Sequence, residues 1–289
     1  MMVKLFLKYI KNMKTADFKS FNYLESGEVS FSLFDTIKST KILDPGTYEL
    51  SYKDYPADAV KLTTVNKPFI NLFDFPEKIK LDNIFEAFFN KTIKRKLKDL
   101  NILHKCGILL YGSEGTGKTT ILQHYCNKFI EENNSIVFYM NCAGYKALNA
   151  CLNLVRDIRN IQDNNIIIIF EEFDDYKDYE SDLKVFLDGY KSIDNCIIFA
   201  TTNYLDKIPD AVKNRPSRFK YLIKIEGIQN KEIIKEVLLN MIGDLYDSEQ
   251  INLYVNECHG KSIDFIKQFC LDKIMNLTTY TKQVKKLGF

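Results

Sequence analysis

The sequence predicts an α/β fold: a parallel sheet sandwiched by helices, closed by a C-terminal helical lid and preceded by a small β-rich domain. Three observations predict it. Between residues 67 and 226, the short apolar runs "GILLYG", "IVFYMN", "IIIIF" and "CIIFATTN" alternate with helical patterns such as Ile121, Leu122, Tyr125 and Phe129. Such runs read as strands covered on both faces, and their alternation with helices reads as a parallel sheet. From 227 onward only helical patterns remain, in "NKEIIKEVLLNMI", "SEQINLYVNECH" and "SIDFIKQFCLDKIM". Before 67, "EVSFSLF" and "GTYELSY" alternate apolar with polar residues and "AVKLTTV" is rich in β-branched residues, with turn signals at "DPG" and "DYPAD". The expected organisation is a β-rich partner-binding domain over 1–66, an α/β core over 67–226 and a helical lid over 227–289.

Composition narrows the classes. A chain of 289 residues with 46% hydrophobic content can bury a substantial core, and a net charge of +2 gives no general pull toward nucleic acid or membrane. No apolar run approaches the ~18–20 residues of a membrane span. The opening "MMVKLFLKYIKNMK" is too interrupted by lysine for a signal-peptide core, which predicts a cytoplasmic protein. Lys4, Lys8, Lys11 and Lys14 share a helical face there, while Val3, Leu5, Leu7 and Tyr9 share a strand face, and both readings stand. Seven cysteines without a C-x-x-C pair are expected to be buried, reduced thiols.

The phosphate chemistry is local and specific. "GSEGTGKT", residues 112–119, fits G-x-x-x-x-G-K-[ST] between a strand and a helix, the context that motif needs. Gly112, Gly115 and Gly117 let the backbone of Ser113, Glu114 and Thr116 turn N–H groups inward on phosphates. The helix starting near Lys118 and running through Thr119 and Thr120 points its positive end at them. Lys118 reaches the β- and γ-phosphates of ATP, and Thr119 ligates Mg²⁺.

"IIIIFEEFDD" ends a buried strand in Glu171 and Glu172, beside the crevice at the carboxyl ends of a parallel sheet. One carboxylate is needed on the metal side and one on the attacking water, so Glu171 is assigned to Mg²⁺ and Glu172 to the water. Asp174 and Asp175 read as solvated loop residues. Asn203, ending "IIFATTN", is placed to hold the γ-phosphate or the water through its amide. Of forty basic residues only five are Arg, and two of these, Arg215 and Arg218, flank the proline of "NRPSRF". Taken alone, that pair is surface charge.

Together "GSEGTGKT", "IIIIFEE", "FLDGY", "IIFATTN" and "KIPDAVKNRPSRF", in this order, resemble the AAA family of ATPases over roughly residues 70–275. The segment from Leu81 to Gly112 and "PSRF" resemble its mitochondrial Bcs1-like branch and related bacterial or phage proteins; if the chain is phage-encoded, the expected compartment is the host cytoplasm. The resemblance implies ATP hydrolysis in a homo-oligomeric ring, normally a hexamer. It implies that Arg215 and Arg218 are arginine fingers on the neighbouring subunit's nucleotide. Four departures stand out: Ser113 and Glu114 replace the family's prolines; Glu171 replaces Asp; Tyr145 is the one aromatic near the loop after the second strand; and the loop after Glu172 lacks arginine. "HGKSIDFI" resembles the sensor 2 segment without its arginine. There Gly260 ends one helix, Ser262 caps the next and Lys261 is a candidate for the nucleotide.

Three jobs fit such an ATPase. The first is remodelling or assembly of a protein partner recruited by the β-rich domain. The second is a nucleic-acid-associated loader or replication accessory, suggested by the basic "KTIKRKLK". The third is a slow ATP-dependent scaffold or switch.

Overall fold

The computed structural model describes residues 21–24, 29–31, 42–53, 59–66, 72, 74–142, 144–189 and 191–286, with side chains described between 42 and 275. Nine strands form one sheet: β1 (Phe21–Leu24), β2 (Val29–Phe31), β3 (Gly46–Lys53), β4 (Ala59–Thr64), β5 (Lys105–Tyr111), β6 (Ile136–Asn141), β7 (Ile166–Phe170), β8 (Cys196–Thr202) and β9 (Tyr221–Lys224). Their order is β2-β1-β4-β3-β6-β7-β8-β5-β9, parallel from β3 to β9 and antiparallel from β2 to β3. The four apolar runs singled out in the sequence are β5 to β8.

Side-chain alternation along these strands divides two cores. Ile108, Leu110, Ile167, Ile169, Ile197 and Phe199 face one side, against helices α1 (Pro76–Phe89) and α3 (Lys118–Asn133). Leu109, Ile166, Ile168, Phe170, Ile198 and Ala200 face the other, against α4 (Tyr145–Ile161) and α5 (Glu180–Asp188). Helix α2 (Lys91–Asp99), between α1 and α3 along the chain, follows α1 directly and buries no residue. A short α6 (Asp210–Lys213) precedes β9.

The helical lid has its own core. Helices α7 (Lys231–Ile242), α8 (Ser248–Cys258) and α9 (Ile263–Lys286) pack Ile234, Leu238, Ile251, Cys258 and Ile266 together. Phe75, just before α1, packs on both this core and the sheet's. Each helix start is set by a cap. Asn230 accepts from Glu232 N–H, Asp247 forms a capping box with Gln250, and Ser262 Oγ accepts from Phe265 N–H at 3.2 Å. Gly260 has φ +73°, so the expected stop and restart are there.

The β-rich segment does not stack as a layer of its own among the described residues. β3 pairs in parallel with β6, with Glu49 opposite Tyr139, so the segment extends the same sheet and covers the edge that β6 would otherwise expose. The N-terminal lysine pattern (1–20) and "DYPAD" lie outside the described residues. All seven cysteines are buried and none forms a disulfide, in line with the sequence. No described helix is long and apolar enough to cross a membrane.

Candidate active site

The strand order reverses around β5, so a crevice opens at the carboxyl ends of β5, β7 and β8. Gly112 leaves β5 at φ +147°, where a Cβ would lie 2.0 Å from Ile225 O; only glycine fits between the loop and the end of β9. Gly115 (φ +72°) and Gly117 (φ +94°) complete the turn, and Thr116 Oγ1 donates to Ser113 O at 2.8 Å. Lys118 is buried at the start of α3, and its Nζ donates to Gly112 O (2.8 Å) and Ser113 O (2.7 Å). Burial lowers its pKa, opposed by the charge of Glu114. The ammonium is thus clamped beneath the loop, where its charge acts in a partly desolvated setting. Thr119 is exposed beside it.

Glu171 and Glu172 follow β7 directly. Glu172 takes φ +50°, an uncommon conformation for a non-glycine residue, and its carbonyl accepts from Asp175 N–H at 2.9 Å. The break in the strand lets two adjacent carboxylates reach one cleft. Glu171 Oε1 is buried with no hydrogen-bond partner among the described residues. Asn203 follows β8. Asp174 departs from the expectation of a solvated loop residue. It is buried and accepts from Thr202 Oγ1 at 2.6 Å, and that hydroxyl in turn accepts from Tyr204 N–H at 3.0 Å. Asp174 therefore ties the end of β7 to the end of β8 and fixes the spacing between Glu172 and Asn203. Asp175 is exposed and faces the cleft.

One cleft of about 700 Å³ brings together Glu114, Gly115, Gly117, Lys118, Thr119, Thr120, Glu171, Glu172 and Asn203. Two residues that sequence reasoning missed line it as well. Glu49 arrives on β3 and accepts from Asn141 Nδ2 at 2.7 Å. Asp264 arrives from the lid, its N–H donating to Gly115 O at 3.2 Å. No local pattern marks Glu49, whereas Asp264 is two residues past the Ser262 cap, where a carboxylate at a helix start is a readable signal. Lys261 is exposed, 5.5 Å from the Phe265 ring, and does not line the cleft. A second cavity, of about 240 Å³ and mainly apolar, adjoins the other side of the loop between Phe75, Thr116, Ile225, Ile228 and Ile263.

The two arginines are placed apart from this cleft and unlike one another. The Arg218 side chain is 6% exposed, its Nε 2.9 Å from Asp188 Oδ2 and its guanidinium donating to Ala211 O. Arg215 is 64% exposed and reaches the same carboxylate only at 3.5 Å. Ser217 Oγ donates to it at 3.0 Å.

Residues 108–226 match the family model described as "ATPase family associated with various cellular activities (AAA)". The chain carries an AAA ATPase domain. It is 26% identical over 190 residues to the human ATPase family AAA domain-containing protein 2, covering 57% of this chain and 13% of that protein. It is 26% identical over 224 residues to a proteasome-activating nucleotidase of Sulfurisphaera tokodaii, covering 66% of this chain and 55% of that one. The chain therefore spans little more than half, or less, of these relatives' lengths. The match begins inside β5 and ends just after β9, so the AAA domain supplies five parallel strands and the cleft at their ends. Strand β3 and the lid helices, which add Glu49 and Asp264, lie outside the matched residues.

Proposed function

We propose that the AAA domain binds ATP with Mg²⁺ and hydrolyses it to ADP and phosphate in a site completed by a neighbouring copy, within a ring expected to hold six. The observation that carries this reading is convergence. A clamped lysine, two strand-end carboxylates and a strand-end amide come from three separate strands to one cleft.

The loop amides and Lys118 hold the phosphates, and the positive end of α3 adds its field. The apolar cavity beside Thr116 is sized for the base. A buried carboxylate oxygen without a partner among the described residues, lining the same cleft as an exposed threonine in the first turn of α3, suits a hydrated cation, so Glu171 and Thr119 would hold Mg²⁺. Held by these residues, the ion would supply positive charge against the phosphates. Glu172 takes the proton of the attacking water, and Asn203 orients that water or the γ-phosphate. Arg215, exposed and weakly held, supplies the cation in trans, with Arg218 anchoring its segment. Work done by the ring falls on a protein partner recruited through residues 1–66. The likeness to a proteasome-activating nucleotidase of Sulfurisphaera tokodaii supports a protein rather than a nucleic-acid partner.

The test is Glu172→Gln. It should keep ATP affinity by calorimetry, lose phosphate release by about 10²–10⁴-fold, and retain a partner in pull-downs with ATP. Phosphate release at the wild-type rate removes Glu172 as the base.

A further inference from the structure

Strand β3 lies outside the residues that match the AAA family, yet it brings a carboxylate into the cleft. Glu49 stands opposite Tyr139 in the β3–β6 ladder, and its Oε1 accepts from Asn141 Nδ2 at 2.7 Å. The strands do not need that bond to stay together. Six residues of each are paired, and Tyr48 and Leu50 of β3 are buried on the other face. An exposed side-chain hydrogen bond adds little to such a ladder.

The charge at this position is also costly. Among the described residues that line the cleft, six are carboxylates and Lys118 alone is basic. A phosphate chain entering there needs an accompanying cation. A carboxylate on β3 is therefore best explained by what it does for the cation side of the site.

Alternation shows where Glu49 acts. Val137 and Tyr139 of β6, and Ile167 and Ile169 of β7, face the core under α3. Asn141 and Glu171 continue those two rows on the same face. Tyr139 is paired with Ile169, so two residues further on Asn141 is level with Glu171. Burial, followed by the charges of Cys126 and Glu171, pushes the Tyr139 hydroxyl up, in keeping with Glu171 on that face. The end of β6 is also held to the turn after Glu172, where the Tyr176 hydroxyl donates to Met140 O at 3.0 Å. The Asn141 amide thus stands beside the carboxylate assigned to Mg²⁺, with one N–H taken by Glu49. Its carbonyl oxygen and second N–H are left for a ligand or water.

We propose that Glu49 is a positioning residue for the metal side of the site. It fixes the Asn141 amide so that the amide oxygen accepts from a water of the hydrated cation that Glu171 and Thr119 would hold. Mg²⁺ keeps several of its waters, and residues that orient its surroundings tune its affinity. The N-terminal strands then belong to the nucleotide site itself and do more than recruit a partner. This deepens the ATPase reading and rests on it.

The experiment titrates Mn²⁺ into the full chain with a non-hydrolysable ATP analogue, read by electron paramagnetic resonance. Phosphate release across a Mg²⁺ series accompanies it. Glu49→Ala should weaken Mn²⁺ binding about tenfold and raise the Mg²⁺ needed for half-maximal turnover by a similar factor. Turnover at saturating Mg²⁺ and the melting temperature should stay near wild type. Glu49→Gln keeps an acceptor for Asn141 and should bind Mn²⁺ within about threefold of wild type. Asn141→Ala should match Glu49→Ala, and the double variant should lose no more than either single one. The proposal falls if Glu49→Ala or Asn141→Ala binds Mn²⁺ like wild type, or if the two losses add. It also falls if Glu49→Gln is as weak as Glu49→Ala, since charge and not positioning would then be the cause. Should Glu49→Ala fail to fold, Asn141→Ala and Glu49→Gln decide the matter by the same criteria. The two readings fail separately. Weakened Mn²⁺ binding in Glu49→Ala, with no phosphate release by wild type, keeps Glu49 in its role and removes hydrolysis. Hydrolysis by wild type, with Mn²⁺ binding unchanged in Glu49→Ala, does the reverse.

Discussion

The proposed cis and trans parts of the candidate nucleotide site are built differently. The phosphate loop, Glu171, Glu172 and Asn203 sit at the ends of strands whose cores are fully buried, and each is fixed by its own chain: Lys118 by two carbonyls, Glu172 by the turn at Asp175, and the β7 and β8 ends by Asp174 and Thr202. The "NRPSRF" segment runs into the start of β9, with the Arg218 carbonyl against Gly107 near the amino end of β5. Its two arginines share one carboxylate, Asp188, and divide into a buried anchor and an exposed arm. A residue working within one subunit can be locked in place. One meant for a neighbour has to stay exposed, and something beside it has to hold its backbone still.

The comparison breaks if both arginines behave alike. Arg215→Ala should cost the most in turnover, about 10³-fold at concentrations that sustain assembly, with the melting temperature unchanged. Arg218→Ala should instead lose about 1.5–3 kcal/mol of stability, because Asp188 loses its covered cationic partner and keeps only the Ser217 hydroxyl and the long contact to Arg215; denaturant unfolding measures this. If Arg218→Ala melts like wild type and abolishes turnover, the division of roles is wrong.

Acid unfolding sharpens the same contrast. Burial pushes the Asp188 carboxyl up, but the hydrogen bonds from Arg218 and Ser217 and the charge of Arg218 outweigh it, and its pKa is lowered. A group depressed on folding contributes stability that is full above its unfolded pKa, about 3.9, and is lost as pH falls through the folded value. Wild type should therefore lose stability over that acid range, and Arg218→Ala should show a shallower acid limb. Equal slopes in a pH series of urea midpoints would remove Asp188 from the account.

The smallest expected effect is at the lid. Asp264→Ala keeps the backbone hydrogen bond to Gly115 and removes only a carboxylate at the edge of the cleft. The KM for ATP should shift by about two- to fivefold with kcat unchanged, a change in ground-state binding. A change in kcat alone would place Asp264 in the chemistry.

Most residues of the proposed cis site, which the cleft gathers, are legible in the sequence because their signals are local. Glycines where φ is positive, a lysine opening a helix, and carboxylates after a run of isoleucines are set by a few neighbouring residues. Asp174 was misread because an acidic run looks solvated in one dimension; the hydroxyl that buries it comes from Thr202, on another strand. Glu49 could not be seen at all, since its place depends on β3 adding to β6 through backbone hydrogen bonds that any strand can make.

The sequence by itself determined the sheet, the phosphate loop, the lid and the order of the motifs, because apolar periodicity, turn residues and caps act within a few residues of chain. Only the tertiary structure decided which arginine is covered, which aspartate is structural, and that the N-terminal strands extend the sheet. Those outcomes turn on burial and on edge pairing between segments far apart along the chain, where one residue's environment is made by others that carry no mark of it.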